Sequence, residues 1–218
     1  VTVTIAELHV ADTPEVWRAA GFAVADGGTC RIGSVTVRLL GPDAGRGVVG
    51  WTLSCRGAND GQQRPADVDG VPTTWVEGAV PPAGEVPPHP NGAQYVDHVV
   101  LLSPDLARAV AALREAGLEP RRERDGELGG RAVRQVFYRL GEVILELVGS
   151  PDEAGEGPAR IWGLTHTVAD VDAAAALLGE HAGPVKDAVQ PGRRITTLRT
   201  RELGMSVRTA LISPHVKA

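Results

Sequence analysis

Lysine is nearly missing from this chain. Of the 22 basic residues two are lysines, Lys186 and Lys217, and the other 20 are arginines. With abundant Ala, Gly, Val and Pro, that bias reflects a GC-rich coding sequence more than chemistry. A basic excess is missing too: the formal net charge of −5 leaves no surplus to neutralise phosphates, which excludes a general nucleic-acid binder. Two cysteines, Cys30 and Cys55, are too few for a disulfide framework or a cysteine metal cluster and read as reduced, buried thiols. No run approaches the ~18 apolar residues of a membrane span. No charged-then-apolar leader opens the sequence. The expectation is a cytoplasmic protein with no membrane partner. Aromatic residues make up only 4%, so each one is informative.

What is present is an ordinary globular balance, 43% apolar and 22% charged over 218 residues, enough for ample core. The chain is organised around Tyr95 to Gly149. A strand (Val96 to Leu102) leads to Pro104-Asp105 as a helix start. Leu106, Val110 and Leu113 follow at helical spacing. Asp105 can cap the first N–H groups and Gly117 can close the helix in the left-handed conformation. Three apolar runs complete a β-α-β-β-β order, the last two joined at Gly141-Glu142. Arg31 to Gly41 lies without a gap over Arg139 to Gly149, placing Arg38 where Glu146 stands. A third copy begins at Trp162, with Asp170 matching Asp105. The expected class is α+β, with βαβββ modules at 1–41, 95–149 and 160–214 and a degenerate fourth at 42–94. Residues 56–94, which carry Pro81-Pro82, Pro87-Pro88 and Pro90, read as a long connection. The corresponding division is 1–94 and 95–218. Modules this short pair into an incomplete barrel around a cavity, because none buries its sheet face alone.

An Asp-His dipeptide on the first strand of the central module and Leu-Glu-Leu on its last resemble half of a vicinal oxygen chelate fold. That superfamily includes glyoxalase I, extradiol dioxygenases and bleomycin-resistance proteins. The resemblance implies a His on strand one and a Glu on strand four of each half, holding a divalent metal in a shared cavity. His98 and Glu146 stand at those positions. Registering the other modules through Asp170, Pro214 and Asp12 puts Gly163, Thr209 and Ile5 at the remaining ones, with Arg38 in place of an acid. One His and one Glu fall short of the three or more protein ligands of a catalytic site. No cofactor is expected on this count, the alternative being Zn, Ni, Mn or Fe held by His98 and Glu146.

Strand parity turns His166 to the opposite face as a buried histidine, and puts His9 and Glu7 near the cavity of the first module. His89, His181 and His215 read as solvated, and Arg121 to Asp125 as a solvated strand edge. Arg194 and Arg199, after the turn Gln190-Pro191-Gly192, fall on opposite faces, so one of them should reach the cavity and clamp an anion. Trp162 and Tyr95 are candidates for the pocket mouth. The reading that results is a glyoxalase-like protein with a degenerate metal site, His98 and Glu146 forming a hydrogen-bonded acid–base pair beside a small organic, anionic ligand. One alternative is a metal-dependent lyase, isomerase or dioxygenase whose site is completed when residues 95–149 of two chains pair in a homodimer. Another is an interaction protein with a filled cavity.

Overall fold

A computed structural model describes residues 2–57, 64–78 and 87–215. The chain opens with β1 (Thr2–Val10), α1 (Pro14–Ala19), β2 (Thr29–Ile32) and β3 (Val35–Leu39), followed by β4 (Val48–Arg56), β5 (Asp67–Val68) and β6 (Val71–Glu77). The second part holds β7 (Ala93–Leu102), α2 (Leu106–Glu115), β8 (Arg122–Leu128), β9 (Arg131–Leu140) and β10 (Val143–Gly149). It ends with β11 (Arg160–Val168), α3 (Val171–Leu178), β12 (Lys186–Asp187), β13 (Arg194–Thr197), α4 (Thr200–Leu203) and β14 (Arg208–Ile212). Two mixed sheets result, neither closed into a barrel. One has the order β2-β3-β1-β4-β6-β5, the other β12-β13-β14-β11-β7-β10-β9-β8. Residues 56–94 are therefore not simply a connection: Val71 and Thr73 alternate inward along β6, which adds to the first sheet in parallel with β4. The Pro81-Pro82 part of that stretch lies outside the described residues. Among the described residues no helix is long and apolar enough to cross a membrane.

Local chemistry sets the helix ends. The Asp105 carboxylate accepts from the Arg108 N–H at 3.0 Å, and Asp170 accepts from those of Asp172 and Ala173. Each helix buries one stripe, Leu106, Ala109 and Leu113 in α2 and Val171, Ala174 and Leu178 in α3, within a core shared with the sheets. In the first module the cap is Thr13, not Asp12, with Pro14 opening the helix. Asp12 is buried instead, accepting from Trp17 Nε1 and the Ser206 N–H.

The two sheets meet about an approximate two-fold. Ser34 donates from its N–H and its hydroxyl to Glu142, at 2.7 and 2.6 Å. These residues occupy the same place in the β2–β3 and β9–β10 turns. The glycines before them, Gly33 (φ +62°) and Gly141 (φ +69°), need the left-handed conformation. They also need the space: a Cβ on Gly33 would lie 2.8 Å from Tyr95 Cβ, and one on Gly141 2.9 Å from Thr4 Cγ2. Tyr95 is thus a packing residue at this junction.

All four leading strands share one irregularity. In each of β1, β4, β7 and β11 a residue is skipped in the ladder, Ala6, Val49, Asp97 and Trp162 respectively, and β7 skips Gln94 as well. Such a bulge shifts the inward pattern by one and re-aims the side chains beside it. The following residues, Glu7, Gly50, His98 and Gly163, are equivalent by this marker. Two residues on, the strands pair with Arg38, Thr74, Glu146 and Ala210. The structural register therefore corrects two assignments. Glu7, not Ile5, corresponds to His98: Glu7 follows the bulge at Ala6 as His98 follows that at Asp97, and helix cap Thr13 stands six residues beyond Glu7 where Asp105 stands seven beyond His98. Ala210, not Thr209, corresponds to Glu146, and Thr209 is buried with its hydroxyl on Val207 O.

Candidate functional site

The concave face of the second sheet carries the candidate site. His98 pairs with Ile144 and Thr165, and Arg139, Phe137 and Gln135 follow on the same face of β9, opposite Ile144, Glu146 and Val148. A cavity of about 570 Å³ opens there, lined among others by His98, Phe137, Arg139, Ile144, Val189 and Gln190. Arg121, Arg122 and Arg124 line it too, so this mixed-charge strand edge is part of the cavity wall. Arg124 is held by Gln135 and stacks over Phe137. Arg121, Arg122 and Arg139 make no salt bridge among the described residues.

Beneath the cavity lies a buried polar network. Asp97, the bulged residue, receives Arg193 Nη2 at 2.5 Å and Nη1 at 3.3 Å, the Thr167 hydroxyl at 2.6 Å and His98 Nδ1 at 2.5 Å. Arg193 is 1% exposed and Asp97 3%. The remaining Arg193 donors reach Ser213 O, Thr167 Oγ1 and His215 Nε2, so all five guanidinium N–H groups are used. Burial pushes the Asp97 carboxyl up. The hydrogen bonds from His98, Arg193 and Thr167 outweigh it and hold the group below the usual carboxylate range. An ionised carboxylate only accepts, so the His98 Nδ1 facing it is the donor, and Nε2 faces the cavity. There it meets the Gln190 amide at 3.4 Å. Gln190 and Arg193 are the ends of one turn, closed by Arg193 N–H to Gln190 O, so a single turn flanks the Asp97–His98 pair on both sides.

The expected site residues scatter. His98 and Glu146 share the concave face, but among the described residues no hydrogen bond or ion pair joins them; Glu146 accepts from Gln135. Arg194 pairs with Asp172 at the start of α3, on the helix side. Arg199 caps α4 and sits 3.7 Å from Glu202 on the surface. Neither lines this cavity; the arginine that reaches the site is their neighbour Arg193. Trp162 is 40% exposed beneath Arg208, and neither it nor Tyr95 lines the cavity. His166 is buried against Trp17 and Phe22 as its parity requires. His89 is not solvated: it is buried, bonded to the Ala23 N–H and Arg31 O. His215 touches Arg193. In the first sheet Glu7 is bound by Arg38 at 2.6 Å and lies 3.4 Å from His9, and the Arg38 hydrogen bond lowers its carboxyl pKa.

The donor set does not suit a metal. At the four equivalent positions of the second sheet stand His98, Glu146, Gly163 and Ala210, and in the first Glu7, Arg38, Gly50 and Thr74. Among the described residues no group of three or more His, Cys, Asp or Glu could hold an ion. Within this chain β7 is bonded on one edge to β10 and on the other to β11.

No protein-family model matches the sequence, and no curated protein matches it. Solved structures match over the whole chain. A variant of 4-hydroxymandelate synthase from Streptomyces coelicolor superposes with a TM-score of 0.66 at 16% identity, over 99% of this chain and 93% of that one. Catechol 2,3-dioxygenase matches with 0.60 at 14%, over 99% and 95%. An extradiol ring-cleaving dioxygenase from B. fuscum matches with 0.60 at 13%, over 99% and 72%. At such identities the likeness speaks for architecture alone. Two βαβββ units, β7 to β10 and β11 to β14, are preceded by a βαββ unit (β1 to β3, one strand short of the βαβββ module expected at 1–41) and the three strands β4 to β6. They pair through bulged leading strands into open mixed sheets, and this is the fold of the vicinal oxygen chelate superfamily.

Proposed function

We propose that the cavity above Asp97 and His98 binds a small anionic organic molecule, and does so without a metal ion. The observation that carries this is the convergence of Arg121, Arg122 and Arg139, none of them in a salt bridge among the described residues, on one cavity with an apolar wall. Guanidinium groups there offer forked donors to a carboxylate or phosphate. Phe137, Ile144, Val189 and Pro191 supply the contact for a hydrocarbon or aromatic body. The volume of about 570 Å³ suits a metabolite-sized ligand. A cation at Glu146 would have His98 alone as a second protein ligand, which supports a metal-free reading despite the dioxygenases among the structural neighbours.

The test is calorimetric titration of the full chain with a panel of alkyl and aryl monocarboxylates, 2-oxo acids and phosphate monoesters, each beside its neutral ester or amide. Binding of anions over their neutral analogues is expected. Arg122→Ala and Arg139→Ala should each weaken it roughly tenfold, the scale of one charge-assisted hydrogen bond. A panel in which nothing binds, or in which neutral analogues bind equally well, would refute the proposal.

A further inference from the structure

We infer that the anion taken by this cavity is doubly charged: a phosphate monoester whose phosphoryl group sits among Arg122, Arg124 and Arg139 around Phe137, with its organic body laid toward Val189 and Pro191. This rests on the ligand-binding reading above. The sorting of charge along two strands leads to it. On β8 the run Arg122-Glu123-Arg124-Asp125 alternates in sign, and alternate residues of a strand point to opposite faces. The register sets Arg122 opposite Phe137 and Arg124 opposite Gln135 on the concave face, and Asp125 opposite Arg134 on the other. Arg134 lies 2.6 Å from Asp125 and 4.0 Å from Glu123, so the acids of β8 are paired away from the cavity. Arg139, two residues beyond Phe137 on β9, shares its face and stands diagonal to Arg122. The cavity wall thus collects Arg121, Arg122, Arg124 and Arg139 and, among the described residues, no carboxylate.

One of these arginines is fixed before any ligand arrives. Gln135 donates its amide to Glu146, and its carbonyl oxygen accepts from Arg124 Nε at 2.8 Å and Nη2 at 2.5 Å. Held there, the Arg124 guanidinium lies over Phe137, 5.8 Å from the ring centroid, and its Nη1 has no partner among the described residues. A donor already in place loses little freedom on binding. A monocarboxylate brings two oxygens and one charge, which leaves most of this positive charge unbalanced. A phosphate monoester brings three oxygens and close to two charges at neutral pH, so its attraction to each guanidinium is about doubled. Its oxygens also suit the forked donors of arginine. From β8 to β7 is three strand spacings, about 14 Å along the sheet. Ile144 stands on β10 between them, and the turn bearing Val189 and Pro191 meets β7 through Gln190 at His98. Val189 is 75% exposed, an apolar side chain that a bound hydrocarbon body would cover.

The experiment is calorimetry of the full chain at fixed ionic strength and about pH 7.5, above the second phosphate ionisation near 6. The probes are 4-phenylbutyl phosphate, its methyl diester, 4-phenylbutyl sulfate and inorganic phosphate. The diester and the sulfate keep the tetrahedral head and the body but carry one charge. The monoester is expected to bind about tenfold more tightly than either, the effect of one further charge-assisted hydrogen bond, and more tightly than inorganic phosphate. In the double variant Arg122→Gln/Arg139→Gln the preference for monoester over sulfate should shrink to within about threefold. Both arginines are exposed, so the variant should keep the circular dichroism spectrum of the wild type. Val189→Ser should weaken the monoester about threefold and leave inorganic phosphate unchanged. Failure of these probes and of every anion of the larger panel to bind would sink the ligand-binding reading. Carboxylates binding while the phosphate esters do not, a monoester gaining less than about threefold over its sulfate, or a preference that survives the double variant would each overturn this inference alone. So would inorganic phosphate binding as tightly as the monoester, or Val189→Ser without effect.

Discussion

Arg193→Met is expected to destabilise the fold by about 3–5 kcal/mol, the cost of stranding a buried charge. The substitution keeps much of the side-chain volume but removes all five donors. Asp97 would then keep only Thr167 and His98 as partners in a site where it is 3% exposed. Ser213 O and His215 would lose theirs as well. Adding Asp97→Asn should recover part of the loss, because the buried charge disappears with its partner. Urea unfolding of both single variants and the double variant gives the coupling directly. A cost for Arg193→Met below about 1 kcal/mol, the range of exposed ion pairs, would mean that the network is not sealed as described.

Acid should weaken the protein through His166 well before its carboxylates titrate. That ring is wholly buried against Trp17 and Phe22, and neither nitrogen has a hydrogen-bond partner among the described residues. Burial, with a smaller contribution from His89 and against the opposing pull of Asp97, pushes its pKa down to about 3. The unfolded chain takes up a proton at an ordinary histidine pKa near 6.5, and the folded chain does not. Stability is therefore complete above about pH 6.5 and falls as pH drops toward 3, by at most about 1.4 kcal/mol per pH unit. Asp97 acts lower: its depressed pKa contributes stability that is lost only as pH falls below about 4. Between pH 6.5 and 4.5 the wild type should lose roughly 2 kcal/mol more than His166→Leu, a difference in which the shared carboxylates cancel. Equal slopes for the two proteins would refute the account of His166.

Much of the fold can be read in the residues because its determinants are local. Asp105 and Asp170 cap helices where they stand, and the Arg31–Gly41 and Arg139–Gly149 repeats place equivalent turns at the junction of the two sheets. The bulges left a legible trace as well: core residues three apart, at Ile5 and Leu8, Val96 and Val99, Ile161 and Leu164, each flank a pair that breaks alternation. Matching on that spacing puts Glu7 opposite His98, where matching on Asp12 slipped two residues. The face bearing His98 was within reach of parity. Its real partners were not. Arg193 lies 96 residues from Asp97 in the chain, at a turn where its surroundings resemble those of any solvated arginine. The arginines of Arg121 to Asp125 look like an edge strand until the register of β8 on β9 brings Arg122 beside Phe137. What long-range pairing decides, local pattern does not carry.

The central claim is that this cavity holds an anion by its arginines, without a metal ion. The most direct measurement is the affinity of the tightest anion of the panel, taken after exhaustive chelation and again after one equivalent of Zn, Ni, Mn or Fe. The account predicts the same dissociation constant within about twofold in every case, with gel filtration in chelator leaving no stoichiometric metal on the protein. Binding that vanishes on chelation and returns with one metal per chain would contradict it.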